Sequence, residues 1–148
     1  SMEHSMEVAN NVRHDKAAAK LEEERELTPS AHVTGPELAR TIAGDVNPDH
    51  VTTMVREYIM PRENLSKAAA MVPGIQKMLN DHGINITMWV PVIAEDMKRV
   101  LAVYSATDMK TLGKGIDEVG MTDEFQAMLV EASKLGTLDR AFGMVNIN

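Results

Sequence analysis

The chain has 148 residues with no Cys, one Trp, two Tyr, two Phe and twelve Met, and its formal charge is −7. Without cysteine it cannot use a disulfide framework, thiolate catalysis or a Cys-ligated metal centre. The acidic balance disfavours nonspecific attraction to nucleic acid or anionic lipid, and no apolar run reaches membrane-spanning length, so a cytoplasmic protein with no membrane partner is expected.

Residues 1 to 30 read as a charged N-terminal helical arm. The stretch Asp15-Lys-Ala-Ala-Ala-Lys-Leu-Glu-Glu-Glu-Arg-Glu26 consists of strong helix formers, whereas Val8, Val12 and Ala19 give only a broken apolar stripe. Such a helix cannot hold a core alone, and it reads either as a solvated or frayed terminal arm or as a helix that docks on a partner chain and supports a dimer. Ser1 ahead of Met2 reads as a scar from tag cleavage, with the natural start at Met2 or later. Leu27-Thr-Pro-Ser30 is the break, and residues 31 to 148 read as a single helical domain.

In that domain Thr34-Gly-Pro-Glu37 has the pattern of a capping box opening a helix through Leu38 and Ile42, which Gly44 ends. Asn47 with Pro48 starts a second helix whose apolar face is Val51, Met54, Val55, Tyr58 and Ile59, and Pro61 stops it. Leu65 to Val72 is predicted as a third helix, broken at Pro73-Gly74. Ile75, Met78 and Leu79 continue a fourth, with Gly83 as a left-handed terminator. Ile84 to Val90 fits either a short extended segment or the entry to the next helix. From Pro91 the spacing of Ile93, Met97, Val100, Leu101 and Tyr104 predicts the central helix. Thr107 is assigned as the cap of a short turn to Leu112. Thr122 opens a helix through Phe125 and Ala132 that closes at Gly136, and Thr137 a last one through Leu138 and Phe142. The expected fold is all-α: a compact bundle of six to eight short helices preceded by the charged arm.

Candidate chemistry is sparse. The segment Pro36 to Ile59 resembles a helix-turn-helix in outline, but it has four acids and two bases, so phosphate contact is disfavoured. Val72-Pro-Gly-Ile75 echoes a helix-hairpin-helix turn over four residues only. Asp45-Val-Asn-Pro-Asp49 opens like a calcium loop, yet His50 stands where Gly is needed and Arg56 where a bidentate Glu is needed. Gly113-Lys-Gly115 lacks the Ser or Thr of a phosphate loop. The five His are too scattered for a zinc site. No metal and no cofactor is therefore expected, no catalytic constellation stands out, and the chain is expected not to be an enzyme.

Ten of the twelve Met fall between Met54 and Met144, and flexible thioethers suit adaptable contact surfaces. The composition points to a non-enzymatic protein-protein interaction or assembly domain, a helical adaptor that self-associates as a homo-oligomer through the N-terminal helix. Met54, Met60, Met71, Met78, Met88 and Trp89 are its expected partner-binding set. The alternative is a nucleic-acid-binding regulator or replication accessory protein using the Pro36 to Ile59 hairpin, with Arg40, Arg56, Arg62, Lys67 and Lys77 on phosphates.

Overall fold

The computed structural model describes residues 2–27 and 37–145, and the chain divides into two units, 1–35 and 36–148. The first unit holds α1 (Met2–His14) and α2 (Lys16–Leu27). Asp15 separates them for a local reason: its Oδ1 accepts from the amides of Ala17 at 2.7 Å and Ala18 at 3.0 Å, an N-cap for α2. No residue of α2 is buried.

The second unit is not a helical bundle. It runs β1 (Leu38–Ala43), β2 (Thr52–Ile59), α3 (Leu65–Leu79), β3 (Asn85–Ile93), β4 (Arg99–Ala106), α4 (Met109–Gly120), α5 (Asp123–Ser133) and β5 (Thr137–Val145). The strands form one antiparallel sheet in the order β1-β3-β4-β2-β5. From β2 onward this is a β-α-β-β-α-β chain path of ferredoxin-like kind, with β1 added at one edge and the final helical segment split into α4 and α5. The all-α expectation is thus corrected to α+β. Among the described residues no helix is long and apolar enough to cross a membrane.

Each misassigned segment has a physical cause. β4 lies between β2 and β3, with Val100 and Tyr104 buried on the helix-covered face and Leu101 and Val103 half-buried on the other, so Val100-Leu-Ala-Val-Tyr104 is a continuous apolar run without alternation. Extended back to Ile93, such a run also satisfies a helical period. The hairpin predicted for Pro36 to Ile59 is instead two strands that are not neighbours, since β1 pairs with β3 while β2 pairs with β4 and β5; residues 34–36 of the capping box lie outside the described residues. Thr137 begins a strand, not a helix. Pro73 does not break α3: it is exposed on the helix surface, and the helix continues through it at the cost of one backbone donor.

Several local expectations match the structure. Gly83 has φ 66°, the left-handed terminator expected there. The Thr122 hydroxyl accepts from the Phe125 amide at 3.3 Å and opens α5. Asn47 Oδ1 accepts from the Asp49 amide at 3.0 Å, but it caps a turn before β2 and no helix follows. The cap of α4 is Asp108, one residue beyond the expected Thr107, with Oδ1 accepting from the Thr111 amide at 2.8 Å and Oδ2 from the Thr111 hydroxyl at 2.7 Å.

Those donors, the Thr111 amide first, hold the Asp108 carboxyl below its ordinary 3.8. A lowered folded-state value means that the cap stabilises the fold fully above pH 3.8 and loses that contribution as pH falls through the lowered value. Denaturant unfolding of wild type and Asp108→Ala at about pH 6 and about pH 2.5–3 is expected to show the variant less stable at the higher pH and the gap narrowing in acid. A gap that stays constant or widens in acid would exclude the cap.

Candidate functional site

The helix layer covers one face of the sheet, and a cavity remains between them. Its floor is Tyr58 and Met60 from β2 and the residue after it, Ile86 and Met88 from β3, and Val100, Ala102 and Tyr104 from β4. Its roof is Ala68, Met71, Val72 and Ile75 from α3, then Phe125, Met128, Leu129 and Ala132 from α5, with Leu135 beyond. The space open to the centre of a water-sized sphere is about 60 Å³, several times the roughly 10–15 Å³ that one water requires. Ordinary interiors are packed to crystal density and leave few such voids.

No charged residue lines this space, and its polar side-chain groups are the two phenols. Tyr58 is half-buried, whereas Tyr104 is 2% exposed. Burial, with the neighbouring Tyr58 adding to it, pushes the Tyr104 phenol up to about 12, so it stays protonated at neutral pH. The Arg56 guanidinium lies 5.6 Å from the centroid of the Tyr104 ring, a cation–π contact that fixes the ring from one side. Four of the wall residues are Met (Met60, Met71, Met88 and Met128), whose unbranched chains adapt to differently shaped contents.

The opposite face of the sheet carries a second constellation. Cross-strand register sets Glu57 against Leu101 on β4 and Arg140 on β5, so these residues share that face. Glu57 is 1% exposed. Its Oε2 accepts from Arg140 Nε at 2.7 Å, while its Oε1 lies 2.9 Å from Arg99 Nε in an ion pair whose alignment falls short of a hydrogen bond. Asp96 stands 3.7 Å from the same Arg99 nitrogen. The bond to Glu57 holds the Arg140 guanidinium above its ordinary value. Leu38 and Ala39 of one edge strand and Arg140 and Phe142 of the other line the same hollow around Glu57, so the sheet curls about this cluster. Glu37 lines the same hollow and acts on Arg140 as well, so carboxylates outnumber the two arginines, and the ion pairs tie β2, β4 and β5 together across the sheet.

The six residues expected to bind a partner do not form one exposed patch. Met60 and Met88 are buried, and Met60, Met71 and Met88 turn into the cavity. Met54 and Met78 are half-buried against the core. Trp89 is half-buried on the opposite face, its Nε1 donating to Thr87 Oγ1 at 2.7 Å. Arg40, Arg62, Lys67 and Lys77 are exposed but spread over β1, the turn before α3 and α3 itself, and Arg56 is occupied with Tyr104. Among the described residues no three His, Asp or Glu converge as a metal site. Sequence reading missed the cluster of Glu57, Arg99 and Arg140. Its signal was there as one acid and two bases, each set in a segment rich in β-branched and aromatic residues or in alternation, as in Leu138, Phe142 and Met144.

Sequence comparison finds no matching family and no matching curated protein. Among solved structures the fold is similar to that of a protein from Fusobacterium nucleatum subsp. nucleatum described as a "Putative monooxygenase", with a TM-score of 0.57 and 8% identity over 95% of this chain and 63% of that one. A protein from Lactobacillus acidophilus described in the same words aligns with a TM-score of 0.44 and 6% identity over 75% of this chain and 49% of that one, too distant to carry an argument. This chain therefore spans less than two thirds of the Fusobacterium protein. The helical-adaptor reading and its hairpin-based nucleic-acid alternative are both overturned, because the segments they relied on are strands of a sheet and the neighbour is not a helical adaptor. At this identity the likeness establishes architecture alone: residues 36–148 form an α+β unit of ferredoxin-like path, the kind of fold found in the Fusobacterium protein.

Proposed function

We propose that this chain binds a small, largely apolar molecule of at most one ring in the cavity between the sheet and helices α3 and α5. The observation that carries the reading is a partly open hollow walled by aliphatic, aromatic and Met side chains with no charged group, where a close-packed core leaves few such spaces. Burial of apolar ligand surface drives binding there, and the methionines let the wall conform.

The test is calorimetric titration of the full chain with phenol. Saturable one-to-one binding is expected, and Ala132→Leu, which extends a roof side chain into the space, is expected to weaken it by about tenfold or more. Binding that is absent, or indifferent to Ala132→Leu in a variant that still unfolds cooperatively, sinks the reading.

A second reading adds turnover: oxygenation of the bound molecule, supported by the description of the Fusobacterium protein that shares the fold. Incubation with phenol under ¹⁸O-labelled dioxygen, where oxidation to the quinone places one oxygen atom in the product and the other in water, separates the two. Label in the product supports oxygenation, whereas binding without product agrees with the non-enzymatic expectation from the sequence. Self-association through α1 and α2 also stays within the proposal, supported by the exposed Met6, Val8, Val12, Leu21 and Leu27, and light scattering of the chain with and without residues 1–30 tests it. A cytoplasmic setting is proposed on the acidic, cysteine-free composition.

A further inference from the structure

We infer that the cleft where the end of β2 and the start of β4 meet the turn before α3 is a second binding site, for a small free amphiphile with one anionic head group and an apolar tail. The site is independent of the cavity reading, because the two spaces share only Met60 and Val100 among their lining residues.

The cleft measures about 500 Å³, within the roughly 300–1,000 Å³ usual for small-molecule sites. Its apolar lining includes Ile59, Leu65 and Val90, all half-buried, and Met97, which is 51% exposed. Three bases and no acid line the same space. Arg99 is already held by Glu57 and Asp96. Arg62 and Lys98 are exposed, and the side chain of neither has an ion pair or hydrogen bond among the described residues. Glu63, Glu95 and Asp96 are near these bases in the chain, but none of them lines the cleft. Two uncompensated cations beside an apolar surface match a ligand whose tail is driven in by burial and whose head is selected by charge. The cleft is braced before any ligand arrives: the Met60 amide donates to the Lys98 carbonyl at 3.0 Å, the Lys98 amide to Asp96 Oδ1 at 2.9 Å, and Asn64 Nδ2 to the Leu135 carbonyl at 2.9 Å. The chain's charge of −7 disfavours an anionic membrane surface as the source of the head group, which leaves a molecule free in solution.

The experiment is calorimetric titration of the full chain with octanoate and with octan-1-ol, which share an eight-carbon chain and differ in the head group. Wild type is expected to bind octanoate about tenfold more tightly than the alcohol. Arg62→Gln and Lys98→Gln are each expected to weaken octanoate by about threefold, the scale of an exposed ion pair, and to leave the alcohol unchanged. Met97→Ser is expected to weaken both probes, whereas Lys67→Gln, on α3 outside the cleft, changes neither. Equal affinity for the two probes, octanoate binding indifferent to both Arg62→Gln and Lys98→Gln, or an equal loss in Lys67→Gln overturns the inference. Octanoate binding abolished by Ala132→Leu places the amphiphile under α5, which overturns this inference and favours the cavity reading. Absence of octanoate binding overturns it too and leaves the cavity reading to its own titration with phenol. Sedimentation with anionic phospholipid vesicles is expected to leave the chain in solution, and co-sedimentation that Arg62→Gln and Lys98→Gln abolish overturns the assignment to a free ligand.

Discussion

Phe125→Ala is expected to lower the stability of the 36–148 unit by about 3–5 kcal/mol. Phe125 is 2% exposed, among the largest fully buried side chains, and stands in the first turn of α5 where the Thr122 cap fixes it. Truncation removes the ring from the core and enlarges a space already present beneath α5, so the loss combines transfer and cavity terms. Urea unfolding followed by circular dichroism measures it. A loss below about 1 kcal/mol would show that the ring is not packed as described, since that is less than its transfer term alone. The variant also connects to function: a wider space admits larger ring systems, so its ligand preference should move toward bulkier probes even as the fold weakens.

Gly44→Ala is expected to cost about 2–4 kcal/mol, from a left-handed backbone together with a steric overlap that neither neighbour can relieve. Gly44 follows β1 with φ 77°, and an added Cβ would stand 3.1 Å from Thr87 Cα and within 2.5 Å of the Ile86 carbonyl oxygen. Both contacts are main chain of β3 and cannot rotate away. The cheaper escape is local: β1 pairs with β3 alone, so it can detach while β2, β3 and β4 stay joined. Amide exchange should accelerate along β1 and keep its protection across β2 and β4, and unchanged exchange in β1 would refute the clash. Gly113→Ala is the matched control. At the exposed position of Gly113 in α4 its methyl meets nothing within 4 Å, and relief of helix-interior glycine is expected to stabilise by about 0.5–1 kcal/mol.

What could be read from the sequence was the chemistry that acts within a few residues. Thr122 as a cap, Gly83 as a terminator and the helix around residues 16–26 were legible because caps and left-handed glycines depend on their own neighbours in the chain. The sheet was not, because strand pairing is a long-range fact: Glu57 meets Arg140 across 83 residues, and nothing in either segment names the other. β4 hid its period by carrying apolar side chains on both faces. In β5 the alternation of Leu138, Phe142 and Met144 was a strand signal, but Thr137 in a cap-like position outweighed it. The same long-range assembly concealed the cavity. Tyr58 and Tyr104 read as apolar-face residues on two separate helices, and only sheet pairing sets them side by side over one hollow.

The ion pair between Glu57 and Arg140 has a colloidal consequence. β5 is an edge strand with all nine residues exposed, so its outer side presents unmatched amides and carbonyls to any passing extended chain. Edges of that kind propagate into filaments unless something spoils their flatness. Here the register shifts beside Glu57 and Tyr58, and Arg140 is drawn inward to its carboxylate, which together give the border a twist and a charge that a second border cannot copy. The clasp that holds the last strand in place is thereby also what keeps the molecule from templating its own stacking.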